Sequence, residues 1–282
     1  MVSVAAVMRA TMQKIFYRNG QLREAVPLVN GRQHGIARSW HKNGKLSDEN
    51  PYYNGLPHGV SRQWNDAGRL LGQYRMVHGT GVQRVWHEIG RLHLEFSTVR
   101  GDFCGRFRMW LHDGSLLSDE INLHGKPVSA QVYLATRAKD KSLPKLTGKI
   151  GKPLPDTRAT EKHSHEVFVR WQLSLKNCTE AKQWLQGGGK AIRSLGRFKR
   201  ATDALKFVDA LYDAGATEVI APDIYHGKAH AQFADSLLVK LPRLAAKRKA
   251  IRRVCAVLPK RKLGAFLPEK NFGESHLHLM LA

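Results

Sequence analysis

The stretch RLHLEF alternates strictly: Leu92, Leu94 and Phe96 fall on one side, His93 and Glu95 on the other. That is the period of a half-buried strand. Short segments of this kind fill the first half of the chain, punctuated by Gly20, Gly31, Gly44, Gly55, Gly68, Gly79, Gly90, Gly101, Gly114 and Gly125. The intervals are 11 or 13 residues, which defines a 24-residue unit shortened once to 22. Several of these glycines follow Asn or Asp, as in Asn19-Gly20, Asn30-Gly31, Asn43-Gly44, Asn54-Gly55 and Asp113-Gly114. Such dipeptides suit tight turns whose central positions take positive φ. Two turns per unit predict two antiparallel strands per unit, and hence one long meander of hairpins. In the shortened unit, NGRQHG (30–35) and NGLPHG (54–59) become HGTG (78–81). A loss of two residues keeps later side chains on their original faces, where a loss of one would flip them.

Three further columns run through the repeat. An aromatic stands four residues before every second glycine: Phe16, Trp40, Trp64, Trp86 and Trp110. Leucine follows the same glycine by two: Leu22, Leu46, Leu70, Leu92 and Leu116. Stacked hairpins place like over like, so both columns read as packing rows. The third is Arg38, Arg62, Arg84 and Arg108, each two residues before a tryptophan. Equivalent strands of adjacent hairpins lie about 9–10 Å apart. The arginines therefore form a ladder suited to an acidic partner segment or a row of phosphates; alternatively they lie over the indoles. Histidines recur at His34, His58 and His78 and at His41, His87 and His112. Their spacing forms no metal set, and none is assigned.

These glycine, aromatic and N-G-x-L columns, from Phe16 to Val128, resemble bacterial MORN-type repeats of the antitoxin-like variant. The resemblance implies a single-layer antiparallel β-solenoid, protein–protein contacts, lipid contacts in some members, and an antitoxin-like role as one alternative. Where such repeats often carry an aromatic after the loop glycine, this chain has Ile36, Val60, Val82 and Arg106.

The pattern changes after Gly125. Ala130–Thr136 reads as a capping strand, and residues 137–165, rich in Lys and Pro, as a basic linker. VFVRWQLSL alternates Val167, Val169, Trp171, Leu173 and Leu175 and reads as a strand. Thr179–Gln186 looks helical, and a helix starts at Thr202, carries Leu205, Val208, Leu211 and Tyr212, and stops at Gly215. TEVIAPDI and SLLVKLP follow as strands. Leu244–Leu258 is a helix with Leu244, Ile251, Val254, Cys255 and Leu258 on its apolar face, and HLHLML is the last strand. The order β-α-β-β-α-β matches a ferredoxin-like sandwich and resembles C-terminal domains of uncharacterised bacterial proteins. The expected fold is thus mainly β plus α+β. A hairpin solenoid covers 12–136, a basic linker 137–165 and a ferredoxin-like α+β domain 166–282.

Charge is the extreme property: 46 Lys and Arg against 23 Asp and Glu, a net of +23 over 282 residues. Such an excess favours polyanionic partners, nucleic acid or an anionic membrane surface. The strongest local patch is the second face of the Leu244–Leu258 helix, with Lys247, Arg248, Lys249, Arg252 and Arg253; Lys190, Arg193, Arg197, Lys199, Arg200, Lys260, Arg261 and Lys262 add to it. Cys104, Cys178 and Cys255 are scattered and odd in number, which favours a reducing, cytoplasmic setting. The apolar run Val2–Met8 is too short to span a membrane. GGGKA lacks the upstream glycine and the Ser/Thr of a phosphate loop. No nucleophile–base set is evident, and His163, His165, His226, His230, His276 and His278 have no fixed link to Asp223 or Asp235. The expectation is a non-catalytic binding or scaffold protein without cofactor or small-molecule substrate, its repeat surface facing a protein partner. Sequence-independent nucleic-acid binding through the last helix is the alternative.

Overall fold

A computed structural model describes residues 9–256 and 273–281. The chain divides into two compact units, Met1–Leu154 and Pro155–Ala282.

The first unit is built on β1 (Ala10–Phe16), β2 (Leu22–Val29), β3 (Arg32–Gln33), β4 (Gly35–Trp40), β5 (Leu46–Tyr53), β6 (Leu56–Pro57) and β7 (Gly59–Trp64). It continues with β8 (Leu70–Val77), β9 (Thr80–Trp86), β10 (Leu92–Val99), β11 (Asp102–Trp110), β12 (Leu116–Leu123) and β13 (Lys126–Pro127). Together they form one open 13-stranded antiparallel sheet in chain order, with β3 and β6 paired off the main path. The meander expected from the glycine spacing is therefore present.

Two turn types alternate. At Asn30-Gly31, Asn54-Gly55, His78-Gly79, Arg100-Gly101 and His124-Gly125 both residues have positive φ, the two-residue hairpin turn. The tips stack: Gly55 N–H donates to Gln33 O, Gly79 to Pro57 O, Gly101 to Gly79 O and Gly125 to Phe103 O, all at 2.8–3.0 Å. Gly79 is fixed twice over, since a Cβ there would sit 2.6 Å from Gly101 N. At Asn19-Gly20, Asn43-Gly44 and Asp113-Gly114 only the glycine has positive φ. Here the side chain does the work: Asn19, Asn43 and Asp113 Oδ1 accept from the N–H two residues on, at 2.9–3.1 Å. The ladder slips beside each turn of this kind, for example between Ser39 and Trp40, as expected for a turn closed by a glycine bulge.

The shortened unit behaves as the parity argument requires. In the long units a two-residue pairing after the turn is followed by a break, where His34 or His58 N–H reaches Pro27 or Pro51 O. In the short one Thr80 pairs with Val77 and Gly81 with Met76, so β9 runs on unbroken.

Strand alternation separates two faces. On one, a single cross-strand row runs Lys14, Ala25, Arg38, Glu49, Arg62, Gln73. On the other, the adjacent row runs Ile15, Glu24, Ser39, Asp48, Gln63, Gly72. Alternation adds to that second face Thr11 and Gln13, Val26 and Leu28, Gly35 and Ala37, Asn50 and Tyr52, Gly59 and Ser61, and Tyr74 and Met76. None of these is Lys or Arg.

The end of the sheet departs from the sequence expectation. Ala130–Thr136 is not a strand: α1 (Ala130–Lys139) starts there, its first turn capped by Ser129 Oγ accepting from Val132 N–H. Residues 140–154 are not a free linker either. Leu143 joins Cys104, Ile121 and Tyr133 in a buried cluster, and Leu154 N–H donates to Leu116 O at 2.9 Å. Apolar side chains that an open sheet leaves uncovered at its last hairpin are buried by this return of the chain.

The second unit begins with α2 (Arg158–Leu173), capped by Thr157. The strand expected over VFVRWQLSL is this helix. The short alternation lies inside a longer helical pattern, His165, Phe168, Val169 and Gln172, which recurs at 3.6 residues. There follow β14 (Thr179–Glu180), α3 (Ala181–Gln186), β15 (Arg193–Leu195), α4 (Ala201–Asp213), β16 (Glu218–Ala221), β17 (Tyr225–His226), β18 (Gln232–Ala234), β19 (Ser236–Lys240), α5 (Ala245–Ala256) and β20 (His276–Met280). The main sheet is β14-β16-β19-β20 with antiparallel neighbours, and β15-β18-β17 form a small second sheet. The strands pair in chain order, whereas a ferredoxin-like sandwich interleaves its two β-α-β halves. Val219, Leu237, Val239, Leu277 and Leu279 pack against α3, α4 and α5. Ile220 and Leu238, on the opposite face, pack against Val169 of α2. Leu244, expected in the apolar face of α5, is exposed, while Ile251 and Cys255 are buried; Leu258 lies outside the described residues, as do Val2–Met8.

Candidate functional site

The arginine column falls in register. Arg38, Glu49 and Arg62 are successive cross-strand partners, and so are Arg84, Glu95, Arg108 and Asp119. Arg38 Nε meets Glu49 at 2.8 Å and Arg62 reaches the same carboxylate at 3.8 Å. Arg84 Nε meets Glu95 at 2.8 Å, and Arg108 pairs with the other oxygen of Glu95. Each glutamate is thus shared by two arginines. Burial alone would raise the Glu95 carboxyl; hydrogen bonds from Arg108 and Arg84 outweigh it and hold Glu95 below the usual range. The guanidiniums stay accessible, with Arg38, Arg62 and Arg84 side chains 44%, 42% and 39% exposed, while Glu49 and Glu95 sit lower at 19% and 14%. The outward layer of the row is therefore cationic although its base is neutralised. Arg108 also lies over the Trp110 ring, 5.3 Å from its centroid.

Arg106, which stands where the other units have Ile36, Val60 and Val82, has a different task. It grips Asp119 through two hydrogen bonds of 2.7 and 2.6 Å and donates to the carbonyls of Thr147, Gly148 and Lys149. Asp119 also accepts from Gly151 N–H at 2.6 Å. This buried pair straps residues 147–151 to the sheet. Burial pushes Asp119 up, but Arg106 and Gly151 overcome that and lower it.

The second cationic set divides. Arg248 and Arg252 of α5 both turn onto Glu274, which is wholly buried. Arg248 also donates to the Glu274 carbonyl at 2.9 Å. Lys247, Lys249 and Arg253 remain exposed on the same helix. The expected continuous patch of five is thus an exposed trio beside an internal pair. Lys260, Arg261 and Lys262 lie outside the described residues. Arg193 donates to the carbonyls of Gly187, Gly188 and Ala191, so the GGGKA loop is wrapped around a guanidinium.

The histidine columns clasp neighbouring hairpins. Tyr17 Oη donates to Trp40 O, and His41 and His87 Nε2 contact Trp64 and Trp110 O at 2.9 and 3.0 Å. Gln63 bonds both backbone groups of Trp86. His87 stacks within 3.8 Å of His112 and 4.3 Å of His93. Burial, followed by the charges of His87 and His93, pushes His112 down to about 4.

On the sheet face without lysine or arginine, burial raises the Asp48 carboxyl, only partly opposed by its Ser47 hydrogen bond and the His41 charge. Burial likewise raises Tyr52 and Tyr74, with Glu24 adding to the first and Asp48 to the second. Sequence reasoning missed this face, and also Glu49 and Glu95. The signal for the glutamates was present, since each lies 11 residues after its arginine, one hairpin register away.

Among the described residues no His, Cys, Asp or Glu group could hold a metal ion, and no helix is long and apolar enough to cross a membrane. The three cysteines are thiols; burial pushes Cys255 up to about 12. In the second unit His165 Nε2 contacts the His276 carbonyl at 2.7 Å and Asp235 accepts from Tyr225 Oη. No family model matches the chain, and no curated protein matches it in sequence.

Proposed function

We propose that the chain is a non-catalytic, cytoplasmic scaffold whose hairpin sheet docks a protein partner through the row Arg38, Arg62, Arg84 and Arg108. One observation carries this: Arg38 and Arg62, and Arg84 and Arg108, each stand in register beside a shared, shielded glutamate, with Arg38, Arg62 and Arg84 well exposed. Such a row is pre-ordered by its own carboxylates, so an acidic segment gains charge-assisted hydrogen bonds with little side-chain ordering. The likeness of the repeat to MORN-type proteins, a family associated with protein contacts, points the same way. The nucleic-acid reading through α5 is weaker, because Arg248 and Arg252 are engaged by Glu274.

The test is binding of a fluorescent Glu-Gly repeat peptide to the full chain. The double variant Arg62→Ala/Arg84→Ala should lose at least tenfold in affinity with an unchanged circular dichroism spectrum. The control Lys176→Ala/Lys206→Ala, which removes equal charge elsewhere, should lose far less. Equal losses from both would reduce the row to general electrostatics and sink the proposal.

A further inference from the structure

We propose that the opposite face of the hairpin sheet, across β2 to β8, is a second docking surface that takes an extended basic peptide segment with lysine or arginine at every third residue. The inference builds on the reading of the sheet as a docking platform, and names the partner chemistry of its other side.

The observation is a charge segregation that composition opposes. Basic residues outnumber acidic ones 46 to 23 in the chain. On the arginine-row face, β1 to β8 carry Lys14, Arg23, Arg32, Arg38, Arg62 and Arg75 against Glu49. The opposite face of the same strands carries Glu24 and Asp48 and no Lys or Arg. Alternation at a period of two sends neighbouring residues of one strand to opposite faces, so each face can carry its own charge.

What stands around the carboxylates suits a cation. Tyr52 and Tyr74 are half-buried on the same face, and Ser61 holds the Tyr74 hydroxyl. Ring faces attract guanidinium and ammonium groups, and carboxylates complete their coordination. Burial raises the Asp48 carboxyl, and the Ser47 hydrogen bond and the His41 charge offset this only in part. A bound guanidinium would add a charge-assisted hydrogen bond to that carboxylate.

Spacing selects the ligand's form. Glu24 and Asp48 belong to one cross-strand row through Ser39, two strand steps apart, which is about 9.5 Å at roughly 4.7–4.9 Å per step. In a polyproline II segment residues i and i+3 share a face and lie about 9.3 Å apart, at about 3.1 Å per residue. Such a segment, crossing the strands, sets successive cations on the two carboxylates.

The experiment is a fluorescence-anisotropy titration of the full chain with a labelled (Pro-Pro-Arg)4 peptide. A net of +23 repels this probe, so saturable binding reports a local site. Binding should saturate, fall at least tenfold in Glu24→Gln/Asp48→Asn at unchanged circular dichroism and melting, be absent for (Pro-Pro-Gln)4, and persist in Arg62→Ala/Arg84→Ala. No saturable binding to the natural chain, or equal binding to Glu24→Gln/Asp48→Asn, overturns the proposal. So does a dimer, seen by sedimentation, that those two substitutions dissociate while the peptide fails to bind, because the occupant is then a second copy. The acidic-peptide titration reads the arginine row separately, so either face can fail without the other.

Discussion

Glu49 and Glu274 are each gripped by two arginines, and they do opposite things. Glu49 lies between Arg38 and Arg62 on the open sheet, and Glu274 between Arg248 and Arg252 beneath α5. The chemistry is the same, and the surroundings differ. Glu49 is 19% exposed and its arginines are above 40%; Glu274 is fully buried and its arginines are at 11% and 20%. Solvent weakens the first set to roughly 0.2–1 kcal/mol per pair and leaves the guanidiniums available to a ligand. The second set is part of the interior, where a charge without its partner costs several kcal/mol. A basic residue therefore signals binding only when its carboxylate is weakly held, and net charge cannot distinguish the two cases.

The largest effect should come from breaking the buried set. Glu274→Gln keeps the shape of the side chain and strands Arg248 and Arg252 as interior cations, at a cost of about 3–5 kcal/mol. Urea denaturation followed by tryptophan fluorescence should show an early transition. An unshifted midpoint would mean that water already reaches the pair.

Acid should act next, on both units. His112 in the hairpin sheet and His278 in the α/β unit both sit at about 4 against a usual 6.5. Burial is the main cause in each; the charges of His87 and His93 add to it at His112, and that of His165 at His278. The folded chain binds fewer protons than the unfolded chain between these values, so stability is full above about 6.5, falls as pH drops toward about 4, and levels off below. Urea midpoints measured at intervals from pH 7.5 to 3.5 check this. His278→Phe should flatten part of the slope, since Phe168 already packs against that ring at 4.8 Å.

The same contrast explains what the sequence disclosed. The hairpin meander was legible because it repeats: ten glycines, one two-residue deletion and an arginine column all follow from a fixed register. Strands β16, β19 and β20 and helices α4 and α5 were also visible, each carrying a clear period. Where the signal was short and unique it misled. Val167, Val169 and Trp171 alternate like a strand, yet the turns on either side of them continue a helix. Residues 140–154 have the composition of a tether, but Leu143 and Arg106 anchor them through contacts that no local pattern encodes. Glu274 lies more than twenty residues from Arg252, with no repeat to point to it.

The smallest effect should come from the exposed set, and it completes the comparison. Glu49→Gln removes the carboxylate shared by Arg38 and Arg62 but leaves both guanidiniums in water, so the loss of stability should stay below about 1 kcal/mol. Its effect on binding should have the opposite sign. With Glu49 neutral, the row becomes more cationic, and the Glu-Gly peptide should bind more tightly, with a steeper salt dependence. If affinity falls instead, the glutamate's main contribution is to hold the arginines in line, and ordering outweighs charge on this face. The titration therefore reads which of two physical roles Glu49 plays, in a variant whose fold is barely disturbed.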